Sequence, residues 1–151
     1  LRGILRQSGT TLFTTACYLV ADVATSRITF ANAGHPSPLH VRTTPRVVEG
    51  ITVQDTAGPA LGIFEDVQYR THERPVAKDD LILLFTGGLF EGENADDEAF
   101  GERRLRDVLE RVIAEESDEV ELKDRILAEI RVFVGDAAQH DDMTMVLLKV
   151  V

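Results

Sequence analysis

The chain has 151 residues, 44% of them apolar and 28% charged, enough to bury one sizeable core and the right length for a single domain over residues 1–151. Its 26 Asp and Glu against 16 Lys and Arg leave a net charge of −10, the wrong sign for a surface that must displace counterions from a phosphate backbone, so nucleic acid is not an expected partner. No run approaches the roughly 18 apolar residues of a membrane span, and the one cysteine, Cys17, can close no internal disulfide, so a reducing, cytoplasmic setting is expected.

The opening "LRGILRQSGT" starts on Leu1 without a charged-then-apolar leader, and is expected to belong to a longer protein. Residues 11–23, "TLFTTACYLVADV", alternate and are rich in β-branched and aromatic side chains, which predicts a strand. "SRITFANAG" predicts a second, joined to the first as a hairpin across residues 24–26. A third strand, "PLHVR", is expected after the corner Gly34-His35-Pro36, and Pro45 and Gly50 punctuate a loop-rich middle. "VQYRTHERPV" sets Val67, Tyr69 and Thr71 against Gln68, Arg70 and His72, the pattern of a strand with one wet face.

"LILLF", residues 81–85, does not alternate at all and predicts a central strand buried on both faces. Beyond it the period lengthens: Leu105, Val108, Leu109, Val112 and Ile113 recur at three and four, a helix over 101–115. Ser117 is a candidate cap for a second helix, 118–134, carrying Asp118, Glu119 and Glu121 in its first turn and stopping at Gly135. "MTMVLLKVV" predicts a closing buried strand. The expected fold class is α+β, an antiparallel β-sandwich flanked by helices and incomplete at its N-terminus.

Asp141 and Asp142 stand directly against that last apolar run, where adjacent carboxylates are costly unless a cation, a donor or open water compensates them. A bare Asp-Asp pair is equally a solvated turn. A second acidic loop after the central strand, "FTGGLFEGENADDE", strengthens the case for oxygen ligation of Mg²⁺ or Mn²⁺, which keep several waters and accept one or two carboxylates per ion. His35 alone decides nothing, since an exposed turn histidine is as common as a functional one. "GPALGI" lacks the lysine and helix of a phosphate-binding loop and is read as structural. Zinc-type cysteine or histidine spacing and a serine elbow are both missing from the sequence.

In order and spacing, "FTTACYLVADVATSRITFANAGHPSPLHVR", "GPALGI", "DDLILLFTGGLFEGEN", "AFGERRL" and "HDDMTMVLLKV" resemble the C-terminal two thirds of the bacterial PPM-type (phosphatase 2C-like) serine/threonine phosphatases, in the branch of sporulation stage II protein E and the sigma-factor regulators. The resemblance implies a hydrolase that uses two Mn²⁺ or Mg²⁺ ions and an activated water on phosphoserine or phosphothreonine, with no protein nucleophile. It implies Asp141 as a metal ligand, with Asp142, Thr144, Thr86, Gly87, Gly88, Glu91 and His35 beside the site. A phosphorylated signalling protein, with an anti-anti-sigma factor as candidate, is the implied partner.

Two departures follow from the same resemblance. The loop that carries a ligating aspartate in the family is Thr86-Gly87-Gly88 here, and the family's first metal motif, an aspartate followed by Gly-His-Gly, is not in these residues. Impaired ion binding is therefore expected, to be improved by restoring a carboxylate at position 87, and a partner-binding pseudophosphatase is the alternative function. Missing upstream strands would also leave sheet edges unpaired, so self-association is expected.

Overall fold

The strand-forming alternation on either side of residues 24–26 does produce a hairpin. In the computed structural model, which describes residues 13–51, 57–115, 119–137 and 141–151, β1 (Ala16–Asp22) runs antiparallel to β2 (Arg27–Ala33), with Ala16 opposite Ala33 and Asp22 opposite Arg27. Asp22 closes the turn: its Oδ1 accepts from the backbone N–H of Ala24 at 2.9 Å and of Thr25 at 3.2 Å. Hydrogen bonding from Thr25 holds the Asp22 carboxyl below its ordinary range.

Contacts group the chain into two compact units, one drawn from Leu1–Ser37 and Ile51–Ala77, the other from Pro38–Gly50 and Lys78–Val151. In the first, β2 also pairs in parallel with the short β5 (Ala57–Gly58) and antiparallel with β6 (His72–Pro75). The expected strand over 67–76 is thus only four residues long. Tyr69 instead donates its hydroxyl to the Pro59 carbonyl at 2.8 Å, and its ring lies against Gly58, where a Cβ would come within 2.6 Å. The bonds that "GPALGI" makes, including the pairing of Leu61 with Thr14, suit the structural role expected of it.

The second unit holds a sheet in the order β4-β3-β7-β8, formed by β3 (Leu39–Arg42), β4 (Val47–Gly50), β7 (Leu81–Phe85) and β8 (Met145–Lys149), all antiparallel. β4 lies where punctuation by Pro45 and Gly50 predicted only loop; residues 43–46 are a turn of the β3–β4 hairpin. β7 is buried as predicted, between two strands, with Leu83 at 0% exposure.

β8 corrects the expectation of a buried strand. It has β7 on one side only among the described residues, and Val146 and Leu148 are 48% and 38% exposed while Met145 and Leu147 turn to the core. A run of apolar residues cannot say whether both faces are covered.

α1 (Gly101–Ala114) buries Leu105, Val108, Leu109 and Val112, the three-and-four spacing of an amphipathic helix. Glu102 and Arg106 pair across one turn at 2.7 Å. α2 (Glu119–Val134) buries Leu122, Ile126 and Ile130 and ends as predicted. Gly135 takes the left-handed conformation, φ +60°, and its N–H donates to Arg131 at 2.9 Å. The cap proposed at Ser117 and the charge at Asp118 lie outside the described residues. Together α1, α2, β3 and β7 enclose the main apolar cluster. The same unit holds a buried polar contact the sequence did not signal: His40 Nε2 and Asp80 Oδ2 meet at 2.8 Å, 1% and 2% exposed. The expected fold class, α+β with antiparallel-rich sheets and flanking helices, is the one observed.

Candidate functional site

In the second unit, the end of β7 and the entrance to β8 are adjacent antiparallel partners, Phe85 facing Met145, so the segments that precede and follow them come together. Thr86 fastens them. Its N–H donates to the Thr144 carbonyl at 3.0 Å, its Oγ1 donates to the Asp142 carbonyl at 3.2 Å, and the same Oγ1 accepts from the Thr144 N–H at 3.0 Å. Both lone-pair and proton capacity of the hydroxyl are thereby used on backbone. Asp141 Oδ1 accepts from the Asp142 N–H at 2.8 Å, fixing the first carboxylate of the pair. Both aspartates are exposed.

The two glycines after Thr86 differ in what surrounds them. Gly88 is buried, and a Cβ there would stand 2.6 Å from the Asp142 carbonyl oxygen and 3.3 Å from that of Asp141. Backbone meets backbone, so only glycine fits. At Gly87 a Cβ would instead stand 2.5 Å from Glu91 Oε1 and 2.9 Å from Oε2. The single turn of 3₁₀ helix at Gly87–Leu89 and the bond from the Glu91 N–H to the Gly87 carbonyl, 3.0 Å, bring this carboxylate back over the glycine.

A cavity of about 950 Å³ opens beside these loops, with Glu91 and Asp141 on its wall, an apolar floor that includes Phe90, Ile130 and Met143, and Arg131 as the one basic residue lining it among those described. Glu93 of the acidic loop lines it as well, while further along Asn94 Oδ1 accepts from the Asp96 and Glu98 N–H groups at 3.0 and 2.9 Å, making a self-contained turn.

His35 belongs to the first unit. Its N–H donates to Asn32 Oδ1 at 2.8 Å, Asn32 Nδ2 donates to the His35 carbonyl at 2.9 Å, and the ring Nδ1 lies 3.0 Å from Thr15 Oγ1. Asn32, 2% exposed, is the anchor of the corner, a role the sequence did not reveal. Gly34 adopts φ +67°, and a Cβ on it would stand 2.9 Å from the Ala60 backbone nitrogen, so this corner too demands glycine.

Of the residues proposed from sequence, Thr86, Gly87, Gly88, Glu91, Asp141, Asp142 and Thr144 are gathered in one place by the β7–β8 pairing. Sequence reasoning missed the Thr86 clasp and the placement of Glu91, although the spacing Gly87-x-x-x-Glu91 was the available signal for the latter. No group of three or more His, Cys, Asp and Glu among the described residues stands close enough to hold an ion. The carboxylates that line the cavity, Glu91, Glu93, Glu102 and Asp141, are oxygen-only donors, the type that suits a hard divalent cation keeping most of its waters. A two-ion centre calls for ligands beyond them.

The two antiparallel-rich sheets with two helices match the PP2C-like fold. The model of the family "Stage II sporulation protein E (SpoIIE)" matches residues 1–151, and the chain belongs to that family. It is 31% identical over 88 residues to the phosphoserine phosphatase RsbP of Bacillus subtilis, an alignment covering 52% of this chain and 19% of RsbP. Among solved structures, it is similar to the SiaA-PP2C domain of Pseudomonas aeruginosa, with a TM-score of 0.82 and 22% identity over 98% of this chain and 57% of that one. The phosphatase domain of SpoIIE from B. subtilis, presoaked with Mn, matches with a TM-score of 0.64 and 17% identity over 90% of this chain and 56% of that one. The chain spans about a fifth of the length of the curated relatives it matches, 20% and 19%. No described helix is long and apolar enough to cross a membrane.

Proposed function

We propose that this chain is the C-terminal part of a divalent-metal-dependent protein phosphatase domain that removes phosphate from phosphoserine or phosphothreonine on a cytoplasmic signalling protein, with an anti-anti-sigma factor as the candidate substrate. The observation that carries the reading is the Thr86 clasp, which holds Asp141 and the 87–91 turn at one cavity. Mn²⁺ or Mg²⁺, when bound, supplies positive charge that acidifies water and neutralises phosphoryl oxygens. Asp141 is oriented for this by its bond to the Asp142 N–H, and Asp142 offers its backbone to Thr86 and Gly88, so its role is to fix the strand entrance. Arg131, the basic group on the cavity wall, can meet an anionic substrate.

A second reading has its own observation. Gly87 brings no carboxylate to the turn, and no group of three ligating side chains forms among the described residues, which favours a partner-binding module without chemistry. Release of phosphate from a phosphoserine peptide in the presence of Mn²⁺ decides between them, measured on the protein and on its Asp141→Asn variant. Hydrolysis abolished by the substitution supports the phosphatase. Undetectable hydrolysis, with retained binding of the phosphoprotein, supports the regulatory module.

A further inference from the structure

We propose that the cavity at the C-terminal end of α2 is a docking groove for a basic amphipathic helix of a partner protein, which sets apolar side chains into the groove and Lys or Arg against its rim. The proposal needs no bound metal and no chemistry, so it stands or falls apart from the phosphatase reading.

The groove is longer than the cavity of about 950 Å³ described above. A second hollow of about 560 Å³ shares Val134, Gly135 and Ala137 with it and continues it past the end of α2. Phe90, Ile130, Phe133, Val134 and Met143 supply the apolar floor of one part or the other. Apolar surface in a hollow, rimmed by polar groups, gains free energy when an apolar partner displaces its water.

The rim is acidic. Glu91, Glu93 and Asp141 stand on the first part and Asp96 and Asp136 on the second, against Arg131 as the one basic residue lining either among those described. Glu102 also lines the first part, with its charge answered by Arg106 at 2.7 Å. α2 adds to the same sign, because the carbonyl end of a helix carries partial negative charge and α2 ends at Val134, on the shared wall. These charges are spread along the groove and do not converge: no group of three His, Cys, Asp or Glu among the described residues could hold an ion. A row of separated carboxylates suits a chain whose cations are separated too. It turns away an acidic partner, including a second copy of this chain with its net charge of −10.

The walls decide the conformation of the occupant. The lining falls within residues 88–102, 130–137, 141 and 143, whereas β7 ends at Phe85 and β8 begins at Met145. With no strand edge to lend hydrogen bonds, a docked segment must satisfy its own backbone, which a helix does.

Fluorescence anisotropy on the protein, in EDTA and about 0.15 M salt, tests this with a labelled peptide of about 18 residues, about five helical turns, carrying leucine on one face and lysine on the other. Its controls are the same residues shuffled so that no apolar face forms, and a leucine-glutamate counterpart. The leucine-lysine peptide should bind, with each control at least about tenfold weaker. Glu93→Lys/Asp136→Lys, at two positions outside the clasped turn, should weaken it at least about tenfold, because like charges are then brought together. Asp107→Lys/Glu110→Lys makes the same change in net charge on the exposed face of α1 and should retain the wild-type affinity. Circular dichroism establishes that each variant is folded, and NMR on the unsubstituted protein should show the amide signals of Gly92, Val134 and Gly135 moving on peptide addition. Absence of binding, equal binding of either control peptide, an equal loss in the α1 variant, or amide shifts confined to other regions would each overturn the proposal. Self-association without peptide that is lost in Glu93→Lys/Asp136→Lys would assign the groove to a second copy and overturn it as well.

Discussion

In the second unit the apolar residues of β3, β7, α1 and α2 close into one cluster with Leu39, Val41, Leu83, Leu105, Leu109 and Ile126 at 0% exposure. In the first, β1 alternates as cleanly as any segment of the chain yet leaves Tyr18 and Val20 at 69% and 43% exposure. The strand without alternation is the better buried. β7 has a strand neighbour on each side and buried side chains on both of its faces, whereas β1 has β2 alone beside it among the described residues. Alternation tells which residues share a face and is silent on whether that face is covered.

The contrast can be broken where it is strongest, at the polar contact inside the second unit. Asp80→Ala would leave buried His40 without its 2.8 Å partner and remove the acceptor of the Thr43 N–H, and loss of one member of a buried pair costs about 3–5 kcal/mol. Leu83→Ala, at the centre of β7, should cost on the order of 2–5 kcal/mol through lost contacts and the cavity left behind. Urea or guanidinium melts measure both, and a loss under about 1 kcal/mol in either would mean the second unit is looser than its burial implies.

Two glycines sharpen the comparison at intermediate scale. Gly34 and Gly101 both adopt positive φ, +67° and +81°, but a Cβ meets the Ala60 backbone at 2.9 Å in the first case and nothing within 4 Å in the second. Gly101→Ala should show only the conformational penalty, about 1 kcal/mol, while Gly34→Ala should lose more, on the order of 1–3 kcal/mol. Equal losses in thermal melts would remove the close approach to Ala60 as the reason for the glycine.

On β1 the expected change is small. Val20→Ala should alter stability by about 0.5 kcal/mol or less because the side chain is already largely in water. Its companion Val20→Lys should reduce any self-association through this edge, read by light scattering, since a charged edge resists strand pairing. A stability loss in Val20→Ala comparable to Leu83→Ala would mean that β1 is covered in solution.

The smallest effect is electrostatic. Arg125, on α2, hydrogen-bonds Glu115, just past α1, and holds the Glu115 carboxyl below its ordinary range. A carboxyl whose folded-state pKa is depressed contributes stability in full above its unfolded-state pKa and loses it as pH falls through the folded value. The pair is open to solvent, so the contribution is slight. The difference in unfolding midpoint between wild type and Arg125→Gln should therefore be present at neutral pH and vanish in acid below the carboxylate range. A difference that persists in strong acid would assign it to packing of the arginine stem.

The amino-acid sequence by itself determined the elements whose signal is local: the two helices with their three-and-four apolar spacing, the stop at Gly135, the β1–β2 hairpin, and β7 as the central strand. It also contained segments that mark the family, among them the Asp-Asp-Met-Thr entrance, because each is contiguous in the chain. Only the tertiary structure decided the rest. That β8 is half exposed and β1 more so depends on which strands lie beside them, and the short β6 depends on β2, a pairing partner distant in sequence. His40 and Asp80, 40 residues apart, meet only once β3 and β7 are paired. The placement of the Glu91 carboxylate over Gly87 was decided in the same way, since the identity of a residue fixes which group it carries and the turn of the backbone fixes where that group is delivered.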